Sequence, residues 1–361
     1  MTTKTKDKFL TFGKPDIGEE EMSAVMDVMR SGWLGTGKVA NELEREFEKF
    51  MGGGYAVAVS SGTMGLVISL KAMGIARGEK VLTTPLTFCA TVNAILEIGA
   101  TPVFSDVNED GVMDRGKAVI WSEDVSAILP VNYTGLTADM KAEWFKIPVI
   151  EDAAHSFGGT CGYGTASVFS LYPTKNITSG EGGIVWTRHK LLADRCRVIS
   201  NHGQSNGAWS RYSSGPIDNY QVLHPGYKGT MPDILAAIGL TQLKRWHELK
   251  IKREKIWKIY EGAFGKRKSG HSQHLFTVKV KDRAKVREEL YNRGIGTGIH
   301  YEPLHLEPAY KFLGYREGDF PMAERIGKQT LSLPISTDMN IDDALRVIQA
   351  VKEVTGDEVF S

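Results

Sequence analysis

Cysteine is scarce in this chain. Three occur among 361 residues, Cys89, Cys161 and Cys196, far apart and odd in number. That excludes a disulfide framework and a cysteine metal cluster, and leaves reduced thiols. His271 and His274 form an isolated H-x-x-H with no carboxylate or cysteine set around it, so a metal role is not expected. No uninterrupted apolar run approaches the length of a membrane-spanning helix. Met1 to Lys8 is polar and lysine-rich, without the apolar centre of a signal peptide. An excess of charge of one sign is also missing: 44 basic residues face 43 acidic ones. With no basic block or aromatic-basic stripe, nucleic acid is not an expected partner. Internal repeats and low-complexity tracts are absent too. These absences predict a cytoplasmic globular enzyme or binding protein, long enough for about two domains.

What is present is alternation. Between Tyr55 and Thr187, apolar strand-like runs alternate with helical stretches, the pattern of an α/β layer fold. The runs Ala56–Val59, Lys80–Thr83, Thr101–Ser105, Ser126–Val131, Pro148–Glu151, Ser167–Leu171 and Gly183–Thr187 read as strands. Thr63–Met73 and Cys89–Ile98 read as helices. In the first, Leu66, Val67, Leu70 and Met73 share one face and face a core. A long amphipathic helix is predicted from Ile234 into the charged stretch Lys244 to Lys255. Beyond Lys266 a second α/β pattern follows, with a strand His274–Val280 and helices Arg283–Asn292 and Asp342–Val354. The predicted division is a large domain with the N-terminal segment, residues 1–245, and a small C-terminal domain, residues 246–361.

Lys175 carries the strongest chemical signal. Pro173 ends the preceding strand, so Lys175 sits on a turn that runs on to Gly180-Glu181-Gly182-Gly183. A lysine held against apolar walls loses its charge readily and attacks carbonyl carbon. Ser60-Ser61-Gly62-Thr63 joins a strand to a helix start; it caps the helix, and the same geometry cradles phosphate. Asp152 ends the apolar strand Pro148–Ile150, where open α/β sheets place their ligand crevice, and a carboxylate there either caps the next segment or holds a cationic ring nitrogen. Phe88, at another strand-to-helix junction, is either a core aromatic or a stacking face. A phosphate cradle, an acid for a pyridinium nitrogen and a Schiff-base lysine together describe pyridoxal 5'-phosphate.

The chain resembles the DegT/StrS family of pyridoxal-phosphate-dependent sugar aminotransferases, nearly collinearly from Phe12 to about Val354. The resemblance rests on Ser31-Gly32-Trp33-Leu34-Gly35-Thr36-Gly37, Ser61-Gly62-Thr63, Asn93-Ala94-Ile95, Gly99 to Phe104 and Glu151-Asp152-Ala153-Ala154-His155. It continues with Pro173-Thr174-Lys175-Asn176 through Gly183, Asp233 to Leu243, Thr297-Gly298-Ile299-His300-Tyr301 and Pro303-Leu304-His305. It implies the aspartate aminotransferase fold, fold type I, with a large mixed-sheet domain and a smaller α/β domain. It further implies that Lys175, Asp152 and His155 are catalytic, with His155 near the cofactor's phenolic oxygen and Phe88 stacked on the ring. Gly62, Thr63, the backbone of Met64 and Ser170 would hold the phosphate; Tyr301 and His305 would lie near the sugar. Where the family carries an asparagine that reaches the neighbouring subunit's phosphate, this chain offers Lys228 and Thr230, and a homodimer follows. The stretch from Asp106 to Pro130 is shorter than in the family and acidic.

The resulting expectation is transamination from L-glutamate to a keto group of a nucleotide-linked sugar. The segment Asn201 to Trp209, with Arg211, Tyr212, Tyr220 and Val222, resembles members that aminate carbon 4 of 4-keto-6-deoxy sugars. Amination at carbon 3, a sugar dehydratase and a non-catalytic sugar-nucleotide-binding homologue are the alternatives. A lysine at 175, where deoxygenating relatives carry histidine, argues against the dehydratase.

Overall fold

The computed structural model describes residues 8–205, 220–356 and 359. Seven strands form the large sheet: β1 (Tyr55–Val59), β2 (Lys80–Thr83), β3 (Thr101–Phe104), β4 (Ala127–Ile128), β5 (Ile150–Asp152), β6 (Ala166–Ser170) and β7 (Gly183–Thr187). They run in the orders β1-β7-β6-β5 and β3-β2-β4. Parallel bridges Ile128↔Val149 and Val131↔Asp152 join the two groups. β7 is antiparallel to both β1 and β6, while β5–β6, β2–β3 and β2–β4 are parallel, so the sheet is mixed. The predicted strand at 126–131 shortens to Ala127–Ile128, and Pro130, which has no N–H for a ladder, follows close behind.

Alternate side chains of each strand serve opposite faces. On one face, Val57, Val59, Val168 and Val185 pack with α3 (Gly62–Ala72) and with a later helix, residues 190–200. On the other, Ala56, Ala58, Phe169 and Ile184 pack with helix 38–50, through Leu43 and Phe47, and with helix 233–244, through Ala236 and Leu240. Numbered in chain order, the helices are α1 (Glu19–Ser31), α2 (Lys38–Phe50), α3, α4 (Cys89–Glu97), α5 (Arg115–Trp121), α6 (Lys190–Ser200), α7 (Asp233–Lys244) and α8 (Trp246–Phe264).

The long helix predicted from Ile234 is thus two helices, parted at Arg245, which ends one and starts the other with a φ of -83° and a ψ of 0°. Two sets of contacts fix the break. The Arg245 guanidinium reaches Glu21 at 2.8 Å and Asp16 at 3.2 Å. Trp246 then turns edge-on to Phe157, with ring centroids 4.9 Å apart. Gly158 makes room, since a Cβ there would lie 2.0 Å from the indole.

In the C-terminal part, β8 (Phe276–Lys279) pairs antiparallel with β9 (Thr330–Leu333). With them stand α9 (Arg283–Asn292), α10 (Pro321–Gln329) and α11 (Ile341–Thr355). Ile256, Trp257, Tyr260, Phe276, Leu331 and Val347 form its core, which also takes in Leu10 from the N-terminal segment. Leu304, Tyr310, Phe320 and Ile326 instead pack with Leu82, Phe104 and Ile128 of the large sheet. The acidic stretch has a visible anchor here: Asp106 accepts from the N–H groups of Met322 and Ala323 at 3.1 and 3.0 Å, at the start of α10. Among the described residues no helix is long and apolar enough to cross a membrane, and no group of side chains is composed to hold a metal ion.

Candidate active site

The carboxyl ends of β1, β5 and β6 open on a cavity of about 640 Å³. Gly62 and Thr63 line it at the start of α3, where Ser61 Oγ accepts from the Met64 N–H at 3.1 Å. A Cβ on Gly62 would sit 3.2 Å from Ser170 Cβ, so glycine lets the helix start and Ser170 share one wall. The free N–H groups of this helix end, with the Ser170 hydroxyl, suit an anion.

Asp152 ends β5 beneath the same cavity. It accepts from Thr91 Oγ1 at 2.8 Å and from the Ala154 N–H at 3.2 Å; Thr91 in turn meets Thr87 at 2.7 Å. Burial raises its proton affinity, while Thr91, the Ala154 N–H and the charge of Lys175 work against that rise. Lys175 follows β6 on a turn closed by its own N–H to Tyr172 O at 2.9 Å. Burial lowers its pKa to about 8, against the pull of Asp152.

His155 stands beside them with its carbonyl held by the Ser272 hydroxyl and its Nε2 3.1 Å from the Tyr301 hydroxyl. Burial first, then the charge of Lys175, keeps its pKa well below the usual histidine range, so the ring is neutral. Phe88 opens α4 and is 57 % exposed, with its ring 6.0 Å from that of Tyr301, so it is a cavity wall rather than a core aromatic.

Other sequence-derived candidates are placed differently. Met64 does not line the cavity; its N–H is already taken by Ser61 and its side chain packs against the core of α3. Lys228 and Thr230 face each other at 3.4 Å, in a segment bridged to Asn201 and Val59, and neither borders this chain's cavity. His305 does not line the cavity either. Its side chain is 0 % exposed, with Nε2 3.0 Å from Glu324 Oε1 and its ring edge-on to Phe320. Its Nδ1 is buried without a hydrogen-bond partner. Of the segment compared with carbon-4 aminating enzymes, Ala208, Trp209, Arg211 and Tyr212 fall outside the described residues. Gln204 and Val222 bridge one another away from the cavity.

The structure also brings in residues that sequence reasoning passed over: Phe12, Asn132, His274 and His300 all line the cavity. His300 Nδ1 lies 2.8 Å from Ser332 Oγ, and burial lowers its pKa to about 4. In the sequence His274 is only half of an H-x-x-H and the first residue of a predicted strand. Asn132 carries no sequence signal of its own.

Two buried nitrogens in this lining, Asn132 Nδ2 and His155 Nδ1, have no hydrogen-bond partner. The Asn132 amide is held by the Ala138 N–H on its oxygen at 2.9 Å. Buried polar groups are paired in nearly all native structures, so a ligand rich in acceptor oxygens is called for. A helix-start anion cradle, a strand-end carboxylate, a buried lysine with its pKa lowered to about 8 and an exposed aromatic face fit pyridoxal 5'-phosphate.

Fold and site together define a pyridoxal-phosphate-dependent transferase of fold type I. The chain belongs to the DegT/DnrJ/EryC1/StrS aminotransferase family, which it matches over residues 15–352, and the enzymes it is similar to are sugar aminotransferases that use this cofactor. It is 40% identical to the spore coat polysaccharide biosynthesis protein SpsC of Bacillus subtilis, over 97% of this chain and 98% of that one. A putative sugar aminotransferase, Spr1654 from Streptococcus pneumoniae, solved in its PMP form, superposes with a TM-score of 0.87 at 28% identity, covering 96% of this chain and 98% of that one. PseC of Helicobacter pylori, an aminotransferase involved in the biosynthesis of pseudoaminic acid, gives 0.88 at 25% identity, covering 97% and 100%.

Proposed function

We propose that this aminotransferase moves an amino group from L-glutamate to carbon 4 of a nucleotide-linked 4-keto-6-deoxy sugar, as a cytoplasmic homodimer. One observation carries the chemistry: Lys175 and Asp152 border one cavity and each feels the other's charge. When bound, the cofactor supplies an electron sink for charge that develops on the substrate carbon.

The chain's own residues do the rest. Asp152, oriented by Thr91 and the Ala154 N–H, would hold the proton on the ring nitrogen. Lys175, with a pKa near 8, is poised to take a proton from one carbon and return it to another at neutral pH. Gly62, Thr63 and Ser170 would hold the phosphate, with Lys228 or Thr230 reaching the phosphate bound by a second copy. Phe88 would cover one face of the ring. With the Tyr301 hydroxyl on its Nε2, His155 would direct its Nδ1 proton at the phenolic oxygen. Tyr301 would also border the sugar. Binding energy from the remote nucleotide would help position the reacting carbon. We divide the chain into a large unit, 1–245, and a small unit, 246–361, with the cavity between them.

The carbon-4 preference is supported by the sequence of the segment 201–222, and likeness to PseC supports the wider class of sugar amination. The test is a panel of 4-keto and 3-keto nucleotide sugars incubated with glutamate and read by mass. Amine gain on a 4-keto sugar is expected; gain only on 3-keto sugars moves the position, and gain on none removes the substrate class.

A further inference from the structure

Asn176, the residue after Lys175, makes four hydrogen bonds in a buried site. Its Nδ2 donates to Phe157 O at 3.0 Å and to Ser272 O at 2.8 Å. Carbonyl oxygens only accept, so the amide cannot be turned over. Its Oδ1 must therefore accept, and it does so twice: from Arg253 Nε at 3.1 Å and from His274 Nδ1 at 3.2 Å. Arg253 is 5 % exposed and is fixed at its other end by Ile335 O, 2.8 Å from NH1. It belongs to α8, so the turn that carries Lys175 is tied to the helix leading into the small unit.

One consequence falls on His274. Its Nδ1 carries the hydrogen, and a neutral imidazole carries only one. The ring is neutral because burial, then the charges of His155, Lys175, Arg253 and His300, hold its pKa well below the histidine range. Its Nε2 is thus a bare lone pair, on a ring that lines the cavity 4.6 Å from the ring of His155.

We infer that Asn176 is a positioning residue, which fixes the Lys175 turn and sets His274 as the Nδ1–H tautomer, so that His274 Nε2 accepts hydrogen bonds from primary ammonium groups in the cavity. Those groups are Lys175 when it is free and the amine of the donor substrate. The inference rests on the amine-transfer reading proposed above. Asp152 also favours the charged form of Lys175, whereas His155 and His300 are neutral; Tyr172, Glu181 and Tyr301 line the same cavity, and Lys14, Asp16 and Arg253 border Lys175 from behind the turn.

The sign of one measurement separates this role from a merely structural one. A lone pair near an ammonium favours the charged lysine, and an N–H there disfavours it. Asn176→Leu frees His274 to adopt the Nε2–H form, so the pKa of Lys175 should fall further, by about one unit. Simple loosening would admit water and raise that pKa toward the value of a solvated lysine.

The experiment uses the full-length chain without cofactor. Lys175 is titrated by its rate of modification with trinitrobenzenesulfonate against pH, read on its peptide by mass. The histidine tautomer is read by nitrogen NMR of histidine-labelled protein, with His274 assigned from the spectrum of His274→Gln. Expected are the Nδ1–H pattern in the wild type and a lowered Lys175 pKa in Asn176→Leu. An Nε2–H pattern in the wild type, or an unchanged or raised pKa in the variant, overturns the inference. Should Asn176→Leu not fold, His274→Leu removes the same lone pair and should lower the same pKa; no fall there overturns the inference equally. Neither readout requires cofactor. Failure of the amine-transfer reading shows separately, as the absence of a borohydride-fixed cofactor on Lys175.

Discussion

The floor and the roof of the cavity are built in different ways. The floor is Gly62, Thr63, Asp152, His155, Ser170 and Lys175, all at or just beyond the ends of β1, β5 and β6. Short-range bonds set its backbone, Ser61 to Met64, Asp152 to Ala154 and Lys175 to Tyr172, while Thr91 on Asp152, Ser272 on the His155 carbonyl and Arg253 on Asn176 brace it from farther along the chain. The roof is Phe12, His274, His300 and Tyr301, which arrive from opposite ends of the sequence. Long-range contacts hold these: the Tyr133 hydroxyl on His300 O, Ser332 on His300 and His155 on Tyr301. The difference teaches that the floor can lose a functional group without losing its shape, whereas the roof depends on how the two ends of the chain pack.

Changes to the floor should therefore cut chemistry and spare the fold. Lys175→Ala is expected to lower glutamate-dependent amination by at least about 10³-fold, since the group that forms the covalent link and moves the proton is gone. Thermal unfolding should show a folded protein, and borohydride should no longer fix the cofactor on the chain. Retained turnover would remove Lys175 from the mechanism. Asp152→Asn keeps the shape and most of the hydrogen bonds but not the charge. It should lose about 10²- to 10³-fold in turnover, as preorganised charge at a developing ion is typically worth. Its unfolding midpoint should stay close to wild type, because the buried carboxylate is itself costly. A large drop in stability with unchanged turnover would reverse the assignment.

The same contrast explains what could be read from the sequence. Strand ends and turns leave local marks: Pro173 before Lys175, the serine–glycine–threonine cap, the apolar run before Asp152. Lys175, Asp152 and the Gly62-Thr63 helix start therefore show themselves within a few positions, whereas His155 and Ser170 enter only through the family resemblance. The roof leaves no such local marks. His274 gains its meaning only from Asn176 and Arg253, each about 20 or more residues away in sequence. Asn132 matters because its Nδ2 has no partner in three dimensions. His305 shows the reverse case: the family motif places it near the sugar, whereas Glu324 and Phe320 hold it in the packed layer beside the cavity. The large sheet was legible in strand number and place. The break at Arg245 was not, because a charged amphipathic stretch reads the same whether or not tertiary ion pairs to Glu21 and Asp16 interrupt it.

The contrast can be sharpened by a pair of variants, one in the roof and one in the core beside it. Tyr301→Phe removes one hydroxyl and leaves His155 Nε2 without its partner. Turnover should drop about tenfold, the equivalent of a lost hydrogen bond felt in the transition state, with little change in unfolding midpoint. His305→Ala should do the opposite. It empties a packed site and leaves Glu324 Oε1 with only the N–H groups of Gly318 and Phe320. A loss of about 2–4 kcal/mol of stability is expected, with turnover per folded molecule unchanged. If His305→Ala instead raises KM for the sugar and leaves stability intact, the buried pairing is not what decides its role.

A last expected effect concerns the floor alone, and shows what its chemistry costs the fold. Lys175 has a pKa of about 8 in the folded chain, lowered first by burial, against the ordinary lysine value of 10.5. Between those two values the unfolded chain holds the proton more often than the folded one. Stability of the cofactor-free chain, so far as this group sets it, therefore rises as pH climbs through that window. Below pH 8 both states are protonated and the full cost of the half-buried charge is present. Lys175→Met keeps the bulk and removes the charge. At pH 7 it should be more stable than wild type in urea, and the gap should narrow steadily toward pH 10.5. A gap that is constant over this range would mean that Lys175 titrates as a solvated lysine, and would take from the floor the property that suits it to attack a carbonyl carbon.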